Sequence, residues 1–199
     1  MSETDNERHK KRQQKLKEQV DERIRQAQQE RGLVVVLTGN GKGKSTSGFG
    51  TIARAVGHGQ NAAVVQFIKG NWECGERELL SAHGVEFVVM ATGFTWETQN
   101  KEADKASAQQ VWQQAKVMLT NPNLDVVLLD ELTYMISYHY LELEEVVAAI
   151  LQRPQQMSVI ITGRGAHRRL IEIADTVSEI QSRKHAFDSG LKARKGIDW

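Results

Sequence analysis

The stretch VVVLTGNGKGKST, residues 34–46, sets glycines, lysines and hydroxyl side chains between an apolar run and an amphipathic pattern. These residue types at this spacing are suited to holding phosphate. Gly39, Gly41 and Gly43 let the backbone curl around phosphate oxygens without Cβ clashes. The N–H groups at the start of the next helix, with its dipole, form an anion site. Lys44 reaches a phosphate as a point charge, and the Ser45 hydroxyl suits a magnesium ion. Asn40 and Lys42 complete the loop. The usual phosphate loop reads G-x-x-x-x-G-K-[ST]. Counted back from Gly43-Lys44-Ser45, its first glycine belongs at the position of Thr38, and Gly39 makes the loop one residue short. Either an ordinary NTPase loop has drifted, or a shortened loop holds its nucleotide differently.

A second group of residues suits the first. LDVVLLDE, residues 124–131, is an apolar strand that ends in two carboxylates. In phosphate-loop proteins an acid at such a strand end completes the coordination of the metal, directly or through water. In an extended chain Asp130 and Glu131 point to opposite sides, so only one faces the metal; the alternative is a pair of solvated acids capping the next helix. Loop and acid together predict a nucleoside triphosphate bound with magnesium, manganese being the alternative ion. Arg164, in TGRGAHRRL, and Arg54, on the helix after the loop, are candidate phosphate contacts or surface ion-pair residues. Lys69, Trp72 and Glu76 follow the second apolar run in a flexible connection. Cys74 lies there too, an ordinary thiol with no base ordered beside it. The six histidines are scattered without metal-ligand spacing. In MATGFTWETQNKEAD, Phe94 and Trp96 stand two apart. In an extended loop both rings project from one side as a platform for a flat ligand; the alternative is two rings tucked over the core edge.

These residues need a frame. Apolar runs at Leu33–Leu37, Ala62–Phe67, Val85–Met90, Asp125–Leu129, Ser158–Thr162 and, more weakly, Thr176–Ile180 read as strands buried on both faces. Helical stripes lie between them: Phe49, Ile52, Ala53 and Val56; Ala103, Ser107, Val111, Ala115 and Met118; Leu143, Val146, Val147 and Ile150. The alternation predicts an α/β fold with an open, mostly parallel sheet flanked by helices, preceded by an N-terminal helical extension; taken with the phosphate loop, a P-loop NTPase-like (RecA-like) frame is expected. The boundary falls at residues 1–31 and 32–199. The extension is charged and carries a thin apolar stripe of Leu16, Val20, Ile24 and Ala27. It reads as a solvated helix, or as a lid that covers a site when something is bound. The chain has 199 residues, 40% of them hydrophobic and 26% charged, with a net charge of +1, so no global charge points to nucleic acid or membrane. One cysteine excludes an intrachain disulfide. With no long apolar run and a charged start, a cytoplasmic protein is expected.

Several of these motifs, in order, resemble the ATP:corrinoid adenosyltransferases of the bacterial cobalamin pathway. They are TGNGKGKST, VVQFIKG, MATGFTWETQN, LDELTYM and KHAFDSGLKARKGIDW. The likeness runs from about Gly32 onward, and the charged helix before it resembles the extension of enterobacterial members. The resemblance implies transfer of the 5′-deoxyadenosyl group of ATP to the cobalt of a reduced cob(I)alamin or other corrinoid, with release of intact triphosphate. It implies ATP lying in the loop in a reversed sense, which accounts for the short loop. Residue by residue, it assigns Gly39, Asn40, Gly41, Lys42, Gly43, Lys44 and Ser45 to ATP, with Lys44 catalytic. Ser45, where the family more often has threonine, and Glu131 would bind the metal, with Asp130 as second choice. Phe94 and Trp96 would lie against the corrin and help exclude its lower axial base. The extension would close over the corrinoid, a reduced flavoprotein would supply electrons, and the protein would be a homodimer. The competing classes are an ordinary ATPase or kinase and a corrinoid carrier without turnover; a nucleic-acid motor has no basic stripe to support it.

Overall fold

The computed structural model describes residues 3–68, 73–90 and 100–198. They divide into two compact units, Met1–Glu30 and Arg31–Trp199. The first unit contains a single helix, α1 (Glu3–Gln26). Leu16, Val20 and Ile24 are exposed on it, and Ala27, the fourth residue of the expected stripe, falls beyond its end. Local pairs support it: Glu22 accepts from Arg25 at 2.6 Å and from Gln26 at 2.9 Å. Such exposed pairs contribute roughly 0.2–0.5 kcal/mol each.

The second unit is built on six parallel strands among the described residues. They are β1 (Val34–Thr38), β2 (Ala62–Gln66), β3 (Glu86–Val89), β4 (Val126–Asp130), β5 (Ser158–Thr162) and β6 (Thr176–Glu179), in the spatial order β3-β2-β4-β5-β1-β6. The helices are α2 (Lys44–Gly57), α3 (Gly75–Ser81), α4 (Lys101–Thr120), α5 (Leu132–Ser137), α6 (Leu143–Leu151) and α7 (Arg168–Ile173), with a 3-10 turn at Phe187–Ser189. The open parallel α/β sheet expected from the sequence is thus present. The apolar runs of β1, β2, β4 and β5 are continuous because each of these strands feeds two cores. Val36, Val65, Leu129 and Ile161 face a cluster with α4, α6 and α7. Leu37, Val64, Leu128 and Ile160 face another with α2 and α3.

Some expected stripes are rotated. On α2 the buried positions are Lys44, Gly48, Phe49, Ile52 and Ala55, while Ala53 is exposed. On α4 they are Asp104, Ala108, Val111, Trp112, Ala115, Met118 and Leu119, and Ala103 faces out. The Trp112 indole, almost fully buried, sets that face because no other residue of the helix has as much apolar surface to remove from water. Strand β4 extends one residue further than its apolar run and takes Asp130 into the sheet. The weak pattern of β6 reflects an edge strand whose four side chains are exposed.

Strand β1 is fastened at its start to the β6 side. Asp175 accepts a bidentate pair from Arg31, with Nη1 at 2.8 Å from Oδ2. Its Oδ2 also accepts the Val34 N–H at 2.9 Å, and its own N–H donates to the Val34 carbonyl at 2.8 Å. The Arg31 hydrogen bonds, then the Val34 N–H, hold the Asp175 carboxyl down to about 2 from an ordinary 3.8. A depressed carboxylate stabilises the fold above its ordinary pKa, and that contribution is lost as pH falls through the folded value. Asp175→Asn is therefore expected to lower Tm by about 2–4 °C at neutral pH. Thermal denaturation at stepped pH should show the difference from wild type closing between about 4 and about 2.

Candidate functional site

The C-terminal ends of β1 and β4 open on the same edge of the sheet, with β5 between them. The loop after β1 turns into α2 at Gly43, whose φ of 117° is open to glycine and strained for other residues. No side chain caps α2 and no acid lies in its first turn, so its N-terminal N–H groups and positive dipole end face outward. The other two loop glycines also have a packing role. A Cβ on Gly39 would stand 2.4 Å from the Ile180 carbonyl oxygen, and one on Gly41 would stand 2.8 Å from that of Gln181. Both therefore admit the backbone that follows β6. The Gly41 N–H donates to Ile180 O at 2.7 Å. Asn40 lies exposed between them.

A cavity of about 520 Å³ lies over the loop. Residues 42–46, Glu131, the start of α3 at Gly75 and Glu76, and the segment Gly196–Asp198 form its walls. Lys44 is buried, and its ammonium donates to the Gly41 carbonyl at 2.8 Å. Burial pushes its pKa down; Glu131 opposes this, and Arg164 acts in the same direction as burial. Ser45 is half-buried on the cavity wall.

The two acids part company. Asp130 is fully buried and turned sideways into the sheet, where Oδ1 accepts from the Thr162 hydroxyl at 2.7 Å and Oδ2 from Gln66 at 3.3 Å. Glu131 is not extended: its φ of 61° and ψ of 22° are left-handed, a conformation costing about 1–3 kcal/mol for such a residue. That turn is what separates the two carboxylates, and Glu131 is the one that lines the cavity. Serine hydroxyl and carboxylate are hard oxygen donors of the kind magnesium takes alongside phosphate and water. Among the described residues no group of three His, Cys, Asp or Glu could hold a metal ion.

Arg164 is exposed on the turn after β5, close enough to Lys44 and Tyr134 to lower the pKa of each, although burial keeps that of Tyr134 raised overall. Arg54 does not join the site: it lies in the last turn of α2, about 15 Å along the axis from Lys44. Cys74 is buried at the start of α3, and its thiol donates to Glu76 at 3.4 Å. The connection expected to be flexible thus contains a helix. Lys69, Trp72, Phe94 and Trp96 lie outside the described residues. The motif reading included the C-terminal segment but missed its place at the cavity wall. Asp198 pairs with Lys42 at 2.6 Å across 156 positions, and Lys195 pairs with Glu73 at 2.8 Å. Only contact in three dimensions reveals these partners.

Loop, buried lysine and acid on a parallel sheet define a P-loop nucleotide-binding protein. Residues 30–199 match the family model described as ATP:corrinoid adenosyltransferase BtuR/CobO/CobP. Residues 1–24 match that of the cob(I)alamin adenosyltransferase N terminal. The chain belongs to the ATP:corrinoid adenosyltransferase family, whose members adenosylate corrinoids using ATP. It is 64% identical over 193 residues to the corrinoid adenosyltransferase CobA of Salmonella typhimurium, covering 97% of this chain and 98% of that one. The corrinoid adenosyltransferase of Escherichia coli K12 matches with the same figures. That of Pseudomonas aeruginosa is 47% identical, over 96% of each chain.

The Asp198 carboxylate faces the cavity where an anionic ligand would meet Lys42. Asp198→Asn is expected to bind ATP about 2–5-fold more tightly, the range of an exposed ion pair. Titration with ATP by calorimetry checks this, and the gain should shrink in high salt.

Proposed function

We propose that the loop grips the triphosphate of ATP as a leaving group and presents the ribose C5′ to cobalt. Cobalt(I) of the reduced corrinoid donates an electron pair to C5′ and becomes cobalt(III). The C5′–O bond breaks, and its electrons leave with intact triphosphate. A metal nucleophile loses no proton, so no general base is needed. Catalysis then rests on alignment of cobalt with C5′ and on stabilising the charge of the departing group. The observation that carries this reading is the convergence of Lys44, Ser45 and Glu131 on one cavity in a chain of this family.

Lys44 and the N–H groups at the start of α2 meet the phosphate oxygens, and Lys42 exchanges Asp198 for them. Gly39, Asn40, Gly41 and Gly43 shape the loop. Ser45 and Glu131 hold magnesium, or manganese, which when bound adds positive charge beside the triphosphate. Phe94 and Trp96 lie against the corrin and exclude its lower axial base, so that cobalt(II) accepts an electron more readily. Residues 5–30 close over the corrinoid as a lid that keeps out water. A reduced flavoprotein supplies the electron, and the enzyme works as a cytoplasmic homodimer.

Product analysis tests the reaction. With ATP, magnesium and chemically reduced cobalamin in the dark, intact triphosphate and a light-sensitive cobalt–carbon product are expected. ADP and phosphate with unchanged corrinoid would return the loop to ordinary hydrolysis. Lys44→Ala should lower kcat by about 10²–10³-fold, the loss typical of one charge-stabilising donor. Trp96→Ala should slow turnover from cobalt(II) substrate while sparing the reaction of pre-reduced cobalt(I). Equal effects on both substrates would remove the aromatic residue from the reduction step.

A further inference from the structure

Glu131 owes its direction to a residue on the neighbouring strand. Thr162 ends β5, fully buried. Its hydroxyl accepts the Glu131 N–H at 2.9 Å and donates to Asp130 Oδ1 at 2.7 Å. One oxygen therefore satisfies the two residues on which the acidic turn depends. The other Asp130 oxygen is held from the opposite side by Gln66 of β2. The contacts continue along the chain. At Gly163 a Cβ would come within 2.0 Å of Thr133 Oγ1, and the Thr133 hydroxyl donates to the Arg164 carbonyl at 2.8 Å. Residues 162–164 are thus moulded against residues 130–133.

We infer that Thr162 is a positioning residue for the reaction, holding Glu131 in the left-handed turn that delivers its carboxylate to the cavity. The inference rests on the reading of Glu131 as a metal ligand. The chemistry calls for a hydroxyl, because the group must accept from an amide and donate to a carboxylate at once. Valine has the shape and neither function: it would leave a buried N–H without an acceptor and a buried carboxylate without a donor, and the turn would relax toward extended backbone. Serine preserves both bonds. Asp130, on this view, is the anchor of the turn. The acid that ends the strand fixes the acid that follows it.

The test uses the full chain with ATP and Mn²⁺, reading bound Mn²⁺ by electron paramagnetic resonance and exchange of the Glu131 amide hydrogen. T162V is expected to weaken Mn²⁺ binding in the ATP complex by about 10-fold or more, the usual effect of losing a residue that orients a ligand, and to expose the Glu131 amide. T162S should remain within about 2-fold of wild type on the same scale. E131Q should weaken Mn²⁺ at least as much as T162V does, and adding T162V to E131Q should cost little more, because one residue acts through the other. Should T162V fail to fold, T162A removes the same hydroxyl and carries the same comparison. Wild-type Mn²⁺ affinity in the hydroxyl-free variant, with E131Q weakened, overturns the role of Thr162 alone. Wild-type affinity in E131Q overturns the metal reading of Glu131, and this inference with it. A full additional loss in the double variant, or no rescue by serine, would show that Thr162 acts on packing and not through Glu131.

Discussion

Everything at the site depends on β5 lying between the loop strand and the acid strand. Its pairing aligns Leu37 with Thr162 on one side and Leu129 with Ile161 on the other. Adjacent strands lie about 4.8 Å apart, so loop and acid are held roughly 10 Å from each other. Side chains from both edges reach into that gap, which suits a ligand with oxygens along its length. The spacing is rigid because both faces of the sheet are buried. Slipping β5 by one residue would exchange Ile160 and Ile161 between two differently shaped cores.

The same frame disposes the charges before any ligand arrives. Lys44 leans on the Gly41 carbonyl and Lys42 on the Asp198 carboxylate. Lys44, being buried, need not be drawn in from solvent when an anion enters. Burial has already removed part of the hydration of Lys44, so a polyanion meets a cation for which much of the desolvation is complete. Preorganised charge of this kind favours a group whose negative charge grows during reaction, because little reorganisation remains to be done.

What the sequence disclosed followed from how local each cause is. Strands came through because burial on both faces writes an unbroken apolar run, as in Val126–Leu129. The loop came through because φ at Gly43 and the order of glycine, lysine and serine are decided within a few residues. The α4 stripe was right at Val111, Ala115 and Met118 but went astray in the first two turns, because regular spacing does not reveal that Trp112 takes a core position. Choosing between Asp130 and Glu131 required a hydroxyl from another strand. The packing roles of Gly39 and Gly41 required Ile180 and Gln181, and the wall at Asp198 required a fold that brings it beside Lys42.

The placement of β1 also has a temporal side. It is the first strand along the chain, yet within the sheet its partners are β5 and β6, the last two. The loop that follows it stands against Ile180 and Gln181. During synthesis from the N-terminal end, β2, β3 and β4 emerge and can pair with one another while β1 has no neighbour. The nucleotide loop therefore acquires its shape among the final steps of folding, after closure of a very long loop of chain, the kind of contact that forms slowly. A nascent chain halted before β6 would hold much of its sheet and no formed phosphate loop, so competence for ATP coincides with near-completion of this stretch of protein.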